Sequence, residues 1–284
     1  MVLMNSQPPK LAILCGRGAL PERLAHFCVN EGRDYLILAF EGQADKEFIS
    51  KHPHAWSSVG QIQQCLEILK DHQVGELVFA GKFNRPSWAE IKPDRLGAQW
   101  MAKLVGKVFG DDSLLRGLIK LIEENSQIKV LSPESIIGHD LLAPRGVLGK
   151  VNPDESYFQD IIHGRKVAQT LGIVDVGQSV IVQQGLVIAV EAIEGTDNLI
   201  ERSIPLLKKG PKGILVKMVK PQQDTRVDRP TIGLKTVEQS LKAGLGGIVM
   251  EAEGVILMQA NDSIKLADRE GLFLLGVTDD EEIS

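Results

Sequence analysis

The chain has 284 residues, 43% of them hydrophobic and 24% charged, with a formal net charge of −5. That length suits one large domain or two ordinary ones, and the balance is that of a globular protein able to bury a core without staples. The acidic balance excludes a global basic field for nucleic acid. MVLMNSQPPK and the short apolar run LAILC after it have neither the charged n-region of a signal peptide nor the length of a membrane span, so a cytoplasmic protein is expected.

The first half alternates strand-like and helix-like segments. Leu11–Cys15 is a short apolar strand ending in the turn Gly16-Arg17-Gly18, and Pro21 suits the first turn of a helix reaching about Glu31. Tyr35–Phe40 is a second buried strand, Gln61–Lys70 carries a helical stripe of Ile62, Cys65, Leu66 and Leu69, and Leu77–Ala80 is a third strand. Asp111–Ser126 is the clearest helix, capped by Asp111 or Asp112, and Ile128–Leu131 closes the unit as a strand. This rhythm predicts a parallel sheet with helices on both faces. The three cysteines, Cys15, Cys28 and Cys65, lack CxxC spacing and read as buried apolar thiols in a reducing compartment.

Ser132–Pro153 is rich in proline and glycine and reads as an interdomain connection. The division expected is an N-terminal domain over 1–135, a linker over 136–152 and a C-terminal domain over 153–284. In the second half Ser156–Leu171 reads as a helix. Ser179–Val182 and Leu186–Val190 read as strands joined by a tight turn at Gln183–Gly185. Thr196–Leu207 is a helix with Thr196 as its cap, and Ile214–Val219 a strand. Thr236–Ala243 is helical. Strands near Ile248–Met250 and Val255–Met258, a helix at Ile264–Glu270 and a strand at Leu272–Val277 complete the chain.

Four stretches hold residue types that do chemistry. The Gly16–Gly18 turn sits between strand and helix, where free helix amides bind anions; Pro21 stands where the dinucleotide pattern has its third glycine and removes one donor. A nucleotide or phosphate contact and a tight structural turn both remain open there. Lys82 and Arg85, after the third strand, are placed to meet a phosphate or to be solvated. Glu191, Glu194 and Asp197 are three carboxylates in seven residues, a cluster that calls for Mg²⁺ or a basic side chain among them. The densest stretch is Lys217–Gly233, where Lys217, Lys220, Arg226 and Arg229 alternate with Asp224 and Asp228 between Pro221 and Pro230. A phosphate ester site needs such a set. Cations hold the oxygens, Mg²⁺ neutralises developing charge, and a carboxylate binds the metal or orients water. Local pairing of opposite charges on a surface loop is the plain alternative.

Five stretches, in order along nearly the whole chain, resemble the LpxI family of UDP-2,3-diacylglucosamine pyrophosphatases of lipid A biosynthesis. They are Gly16-x-Gly18-x-Leu20-Pro21, Asp111-Asp112-x-Leu114-Leu115-Arg116, Asp175-Val176-Gly177-Gln178, Glu191-Ala192-Ile193-Glu194-Gly195-Thr196-Asp197 and Gln223-Asp224-x-Arg226-x-Asp228-x-Pro230. The resemblance implies an α/β protein of two domains, the first Rossmann-like and the second an α/β mixed-sheet fold peculiar to the family, with substrate held in a cleft between them. It implies Mg²⁺-dependent hydrolysis of UDP-2,3-diacylglucosamine to lipid X and UMP, with water attacking the α-phosphorus. The family's essential aspartate carries over to Asp228, or to Asp224. Arg226, Lys217, Lys220, Gln178, Thr196, Gly16, Gly18, Lys82 and Arg85 are then the expected substrate contacts, and Asp228, Glu191, Glu194 and Asp197 the expected metal ligands. A homodimer touching the cytoplasmic face of the inner membrane is also implied. Val180–Val182 and Leu186–Val190 are ordinary core or the lining of an acyl chamber.

Two other functions compete. An NAD(P)-dependent oxidoreductase would use the strand–turn–helix start, with Glu41 after Phe40 binding a ribose, and Pro21 counts against it. A non-catalytic nucleotide-lipid binding protein has no need of so many carboxylates beside cations. The six histidines show no HExxH spacing, which argues against a zinc hydrolase.

Overall fold

The computed structural model describes residues 8–84, 91–104 and 111–278. The chain forms two compact units. One comprises Met1–Gly138 with Arg226–Asp228, the other His139–Thr225 with Arg229–Ser284.

The first unit is a doubly wound sheet. Its elements are β1 (Lys10–Cys15), α1 (Ala19–Asn30), β2 (Tyr35–Phe40), α2 (Lys46–Ile49), β3 (His54–Ser57), α3 (Ile62–Asp71), β4 (Val74–Ala80), α4 (Arg95–Leu104), α5 (Asp111–Asn125), β5 (Lys129–Leu131) and α6 (Pro133–Ile137). The strands lie in the order β3-β2-β1-β4-β5, all pairs parallel. These are the first five strands of the Rossmann order, and strands apolar on both faces are what a parallel sheet covered by helices requires. Leu11, Ile13, Ile37 and Val78 point to one face, under Leu24 and Cys28 of α1 and Ile136 of α6. Ala12, Leu36, Leu38, Leu77 and Val130 point to the other, under α3, α4 and α5. The parallel sheet expected for this half is the one found. The expected linker carries structure of its own: Ile136 is buried in this core, and Leu141, Ala143 and Leu148 are buried in the second unit.

The second unit contains β6 (Gly146–Leu148), α7 (Phe158–Ile173), β7 (Ser179–Gln183), β8 (Leu186–Val190), α8 (Gly195–Ser203), β9 (Ile214–Lys217), β10 (Thr231–Ile232), α9 (Leu234–Ala243), β11 (Gly247–Glu251), β12 (Ile256–Leu257), α10 (Ala260–Glu270) and β13 (Phe273–Val277). Its six-stranded sheet runs β6-β13-β11-β9-β7-β8. The centre is parallel, and β6, β7 and β8 join antiparallel to their neighbours, so the sheet is mixed as expected. A short parallel pair, β10 with β12, stands apart from it. Helix α7 covers one face and α8, α9 and α10 the other. Gln184 and Gly185 both have positive φ in the β7–β8 turn, the geometry of a two-residue hairpin. Val180, Ile181 and Val182 are wholly buried in the core, and Leu186 stands exposed on the edge strand β8. The first run is core, and of the second Val190 borders a pocket, a shallow one whose other walls are Ala192, Glu194, Asn198, Glu201 and Arg202. Among the described residues no helix is long and apolar enough to cross a membrane.

Candidate functional site

In the first unit the expected site residues Gly16, Gly18 and Lys82 lie at the carboxyl ends of β1 and β4, the edge where open α/β sheets bind ligands. Two glycine turns meet there. The amide of Arg17 donates to the carbonyl of Lys82 at 3.0 Å, and that of Lys82 donates back to Arg17 at 2.7 Å. The approach is too close for side chains. A Cβ on Gly16 would lie 2.7 Å from the Lys82 oxygen, and one on Gly81, whose φ is +87°, would lie 2.6 Å from the Arg17 oxygen. Gly18 precedes α1 without a side-chain cap, so the first amides of that helix stay open. Gln43 is a residue the sequence reading missed. Its side-chain amide donates to the Asn84 carbonyl at 3.0 Å, and its oxygen accepts from the Asn84 amide at 2.8 Å. The clamp fixes the loop that carries exposed Lys82. Arg85 lies outside the described residues.

Beside these turns opens a cavity of about 440 Å³. It is walled by apolar side chains of β1, β2, β4, α3, α4 and α5, with Lys82, Asn84 and Asp228 at its polar rim. Asp228 reaches the rim because Arg226–Asp228 belongs to this unit: Val227 packs on the α3–α5 core, and Arg226 pairs with Glu123 at 3.1 Å. No void is legible in the chain, since the wall residues are those that would fill a solid core.

The second unit holds a separate, buried polar cluster. Lys217 ends β9 with 5% of its surface exposed. Its ammonium donates to the Thr196 hydroxyl at 2.6 Å, and that hydroxyl donates to Glu191 Oε1 at 2.7 Å. Glu191 Oε2 accepts from the Gln178 amide at 3.2 Å. Gly177 permits this: a Cβ there would lie 2.1 Å from the Glu191 carbonyl oxygen. Burial pushes the Glu191 carboxyl up, but the Lys217 ammonium and hydrogen bonds from Thr196, Ser179 and Gln178 outweigh it and hold it below the usual carboxylate range. The Gln178 side-chain oxygen is buried without a partner. Thr196 therefore does not cap α8, whose N-cap is Glu194 with no side-chain cap bond; its hydroxyl is committed to Glu191 and Lys217.

The remaining expected site residues have partners of their own. Glu194 pairs with Arg202 at 2.7 Å and Asp197 with Lys235 at 2.6 Å. Lys220 pairs with Asp175 at 2.6 Å, where Asp175 has a φ of +55°. Asp224 is half-buried in the second unit. Glu191, Glu194 and Asp197 thus do not converge, and among the described residues no group of three or more His, Cys, Asp or Glu side chains is arranged to hold a metal. An all-protein Mg²⁺ cage does not fit these residues. One carboxylate completed by substrate phosphate oxygens does fit, which is how Mg²⁺ is commonly bound in phosphoryl sites, and Asp228 at the cavity rim is the described carboxylate so placed.

Two family profiles cover the chain. The LpxI N-terminal domain matches residues 10–139 and the LpxI C-terminal domain residues 144–275. The chain belongs to the LpxI family. A relative described as UDP-2,3-diacylglucosamine pyrophosphatase LpxI, from Caulobacter vibrioides, is 36% identical over 279 residues, spanning 96% of this chain and 99% of the relative. Both the cavity rim and the buried cluster lie inside the LpxI-matched spans. Membership displaces the oxidoreductase reading, to which Pro21 in the first turn of α1 was already unfavourable.

Proposed function

We propose that this protein hydrolyses the phosphoanhydride of UDP-2,3-diacylglucosamine in lipid A biosynthesis, releasing UMP and 2,3-diacylglucosamine 1-phosphate. The observation that carries the reading is the apolar cavity with a charged rim. An acyl chain fits its wall, and an anionic head fits Lys82 and the open amides of α1. In the reaction a water oxygen bonds to the α-phosphorus, the bond from that phosphorus to the bridging oxygen breaks, and the bridging oxygen leaves on the sugar phosphate. Lys82 offsets charge on the diphosphate. Gly16 and Gly18 let backbone approach it. Asp228 holds Mg²⁺ or orients the attacking water, and Arg226 is anchored two residues away by Glu123. Bound Mg²⁺ supplies charge neutralisation on the phosphate oxygens. Thr196 holds the Lys217 side chain in place, and Glu191, fixed by Thr196 and the Gln178 amide, backs that contact.

The same reading makes the protein cytoplasmic, in peripheral contact with the inner membrane through exposed apolar residues such as Ile193 and Leu186, which are also available to a homodimer contact. One experiment tests the chemistry. Wild type and Asp228→Ala are given the substrate in ¹⁸O water with Mg²⁺. The expected result is label in UMP and a fall in turnover of roughly 100-fold or more in the variant at unchanged melting temperature. Label in the sugar phosphate would move the attack to the β-phosphorus. Near-normal turnover of the variant would remove Asp228 from the mechanism. Binding without consumption by wild type would leave a carrier.

A further inference from the structure

The cavity of the first unit has a rim and a floor, and three elements locate the floor independently. In a parallel sheet each connecting helix runs back from the carboxyl edge to the amino edge, so α3 and α5 descend beside the strands. On α3 the wall residues step down from Ile62 through Cys65 and Leu66 to Leu69, a fall of about 10 Å at the helical rise. On α5 they step from Leu114 through Leu118 to Ile122, about 12 Å. On β4 the lowest wall residue is Leu77, four strand positions or about 13 Å below Gly81 at the rim. The next apolar residues down, Val74, Ile128 and Val130, belong to the same core but do not touch the cavity. Leu69 and Leu77 are 2% and 0% exposed, so side-chain packing closes the shaft at their level.

We propose that Leu69, Leu77 and Ile122 form a ruler that sets the length of acyl chain this protein accepts. The inference rests on the reading of the cavity as an acyl site and adds which side chains select among substrates. A chain longer than the shaft must leave methylenes in water or displace the floor, whereas a shorter one leaves apolar surface unfilled. Burying one methylene is worth a factor of roughly four in an equilibrium, so a floor moved by one methylene alters discrimination between neighbouring chain lengths by about that factor.

The test is an internal competition. Two UDP-2,3-diacylglucosamines differing only in acyl length are mixed in one tube, and the ratio of their kcat/KM values is read by mass spectrometry. Because both substrates meet the same molecules, any loss of folded protein cancels. Leu69→Ala is expected to move the ratio toward the longer chain by roughly fourfold per methylene, and Leu69→Phe toward the shorter by a similar factor. Ile122→Val gives a milder shift toward the longer. Leu24→Ala, buried on the opposite face of the sheet, leaves the ratio at its wild-type value. An unchanged ratio in both Leu69 variants, with wild type still preferring acylated substrate, overturns the ruler and leaves the acyl reading standing. Hydrolysis of unacylated UDP-glucosamine by wild type as readily as of the acylated compound overturns both.

Discussion

Glu191 shows how a residue's surroundings decide its role. Its carboxyl sits below the usual value of 4.5 because Lys217 and three hydrogen-bond donors favour the charged form. A depressed carboxylate contributes stability above its unfolded pKa and loses it as pH falls through the folded one. Glu191→Gln leaves the Lys217 ammonium buried without its counter-charge, a cost near the lower end of about 3–5 kcal/mol because the amide keeps hydrogen bonds. The melting temperatures of variant and wild type are therefore expected to differ most at neutral pH and to converge as pH falls below 4.5; a gap independent of pH would show that charge is not what Glu191 supplies. The sequence suggested that Glu191 needed a positive partner, and it has one in Lys217. It did not reveal that Thr196 stands between them, because a threonine ahead of a helix has the same local signature whether it caps the helix or turns inward. Glu194 and Asp197 looked like companions of Glu191 by spacing alone. Their partners, Arg202 and Lys235, are eight and 38 residues further on, beyond the reach of a local pattern.

At the scale of elements, legibility followed burial. The strands β1, β2, β4, β9 and β13, apolar and largely buried, were all read within a few residues. The edge strand β3 was not, since only Ser57 of its four residues is buried, and β6 and β10 are too short to show a period. The Gly81–Asn84 loop was legible as a site because it follows a central strand, but the reason for its glycine was not. Gly81→Ala is expected to cost about 1–3 kcal/mol, since it pairs an unfavourable φ with overlap on the Arg17 carbonyl. It should also displace Lys82 and so raise KM for substrate more than it lowers kcat. A variant of full stability and unchanged KM would mean that the two turns need not touch. Pairing across these turns gives β1 and β4 a common rim, and Gln43 extends that rim to the end of β2.

At the scale of the molecule, the two units have separate cores, yet the basic loop is divided between them: Arg226–Asp228 belongs to the first, and the residues on either side belong to the second. Chain order alone assigns the whole loop to the C-terminal domain, and only packing moves Arg226–Asp228 to the first unit. The cavity was equally invisible. Leu66, Leu69, Leu118 and Ile122 form a good helical stripe whether the space before them is filled or empty, and only the packing of three helices over one sheet face decides it.

All three cysteines lie in the first unit, Cys15 and Cys28 on one face of its sheet and Cys65 on the other, and all are buried. Burial pushes the Cys15 thiol up to about 12, helped by Glu22 and Asp45, and raises those of Cys28 and Cys65 as well. Thiolate is the reactive form, so a thiol-specific dye should leave the native protein almost unlabelled at neutral pH and label all three positions in denaturant. Prompt labelling without denaturant would contradict that burial. The unmutated chain thus carries its own folding gauge. Dye uptake counts opened copies of one unit only, and a lipid that seals the Cys65 side would slow a third of that uptake while leaving the remainder untouched.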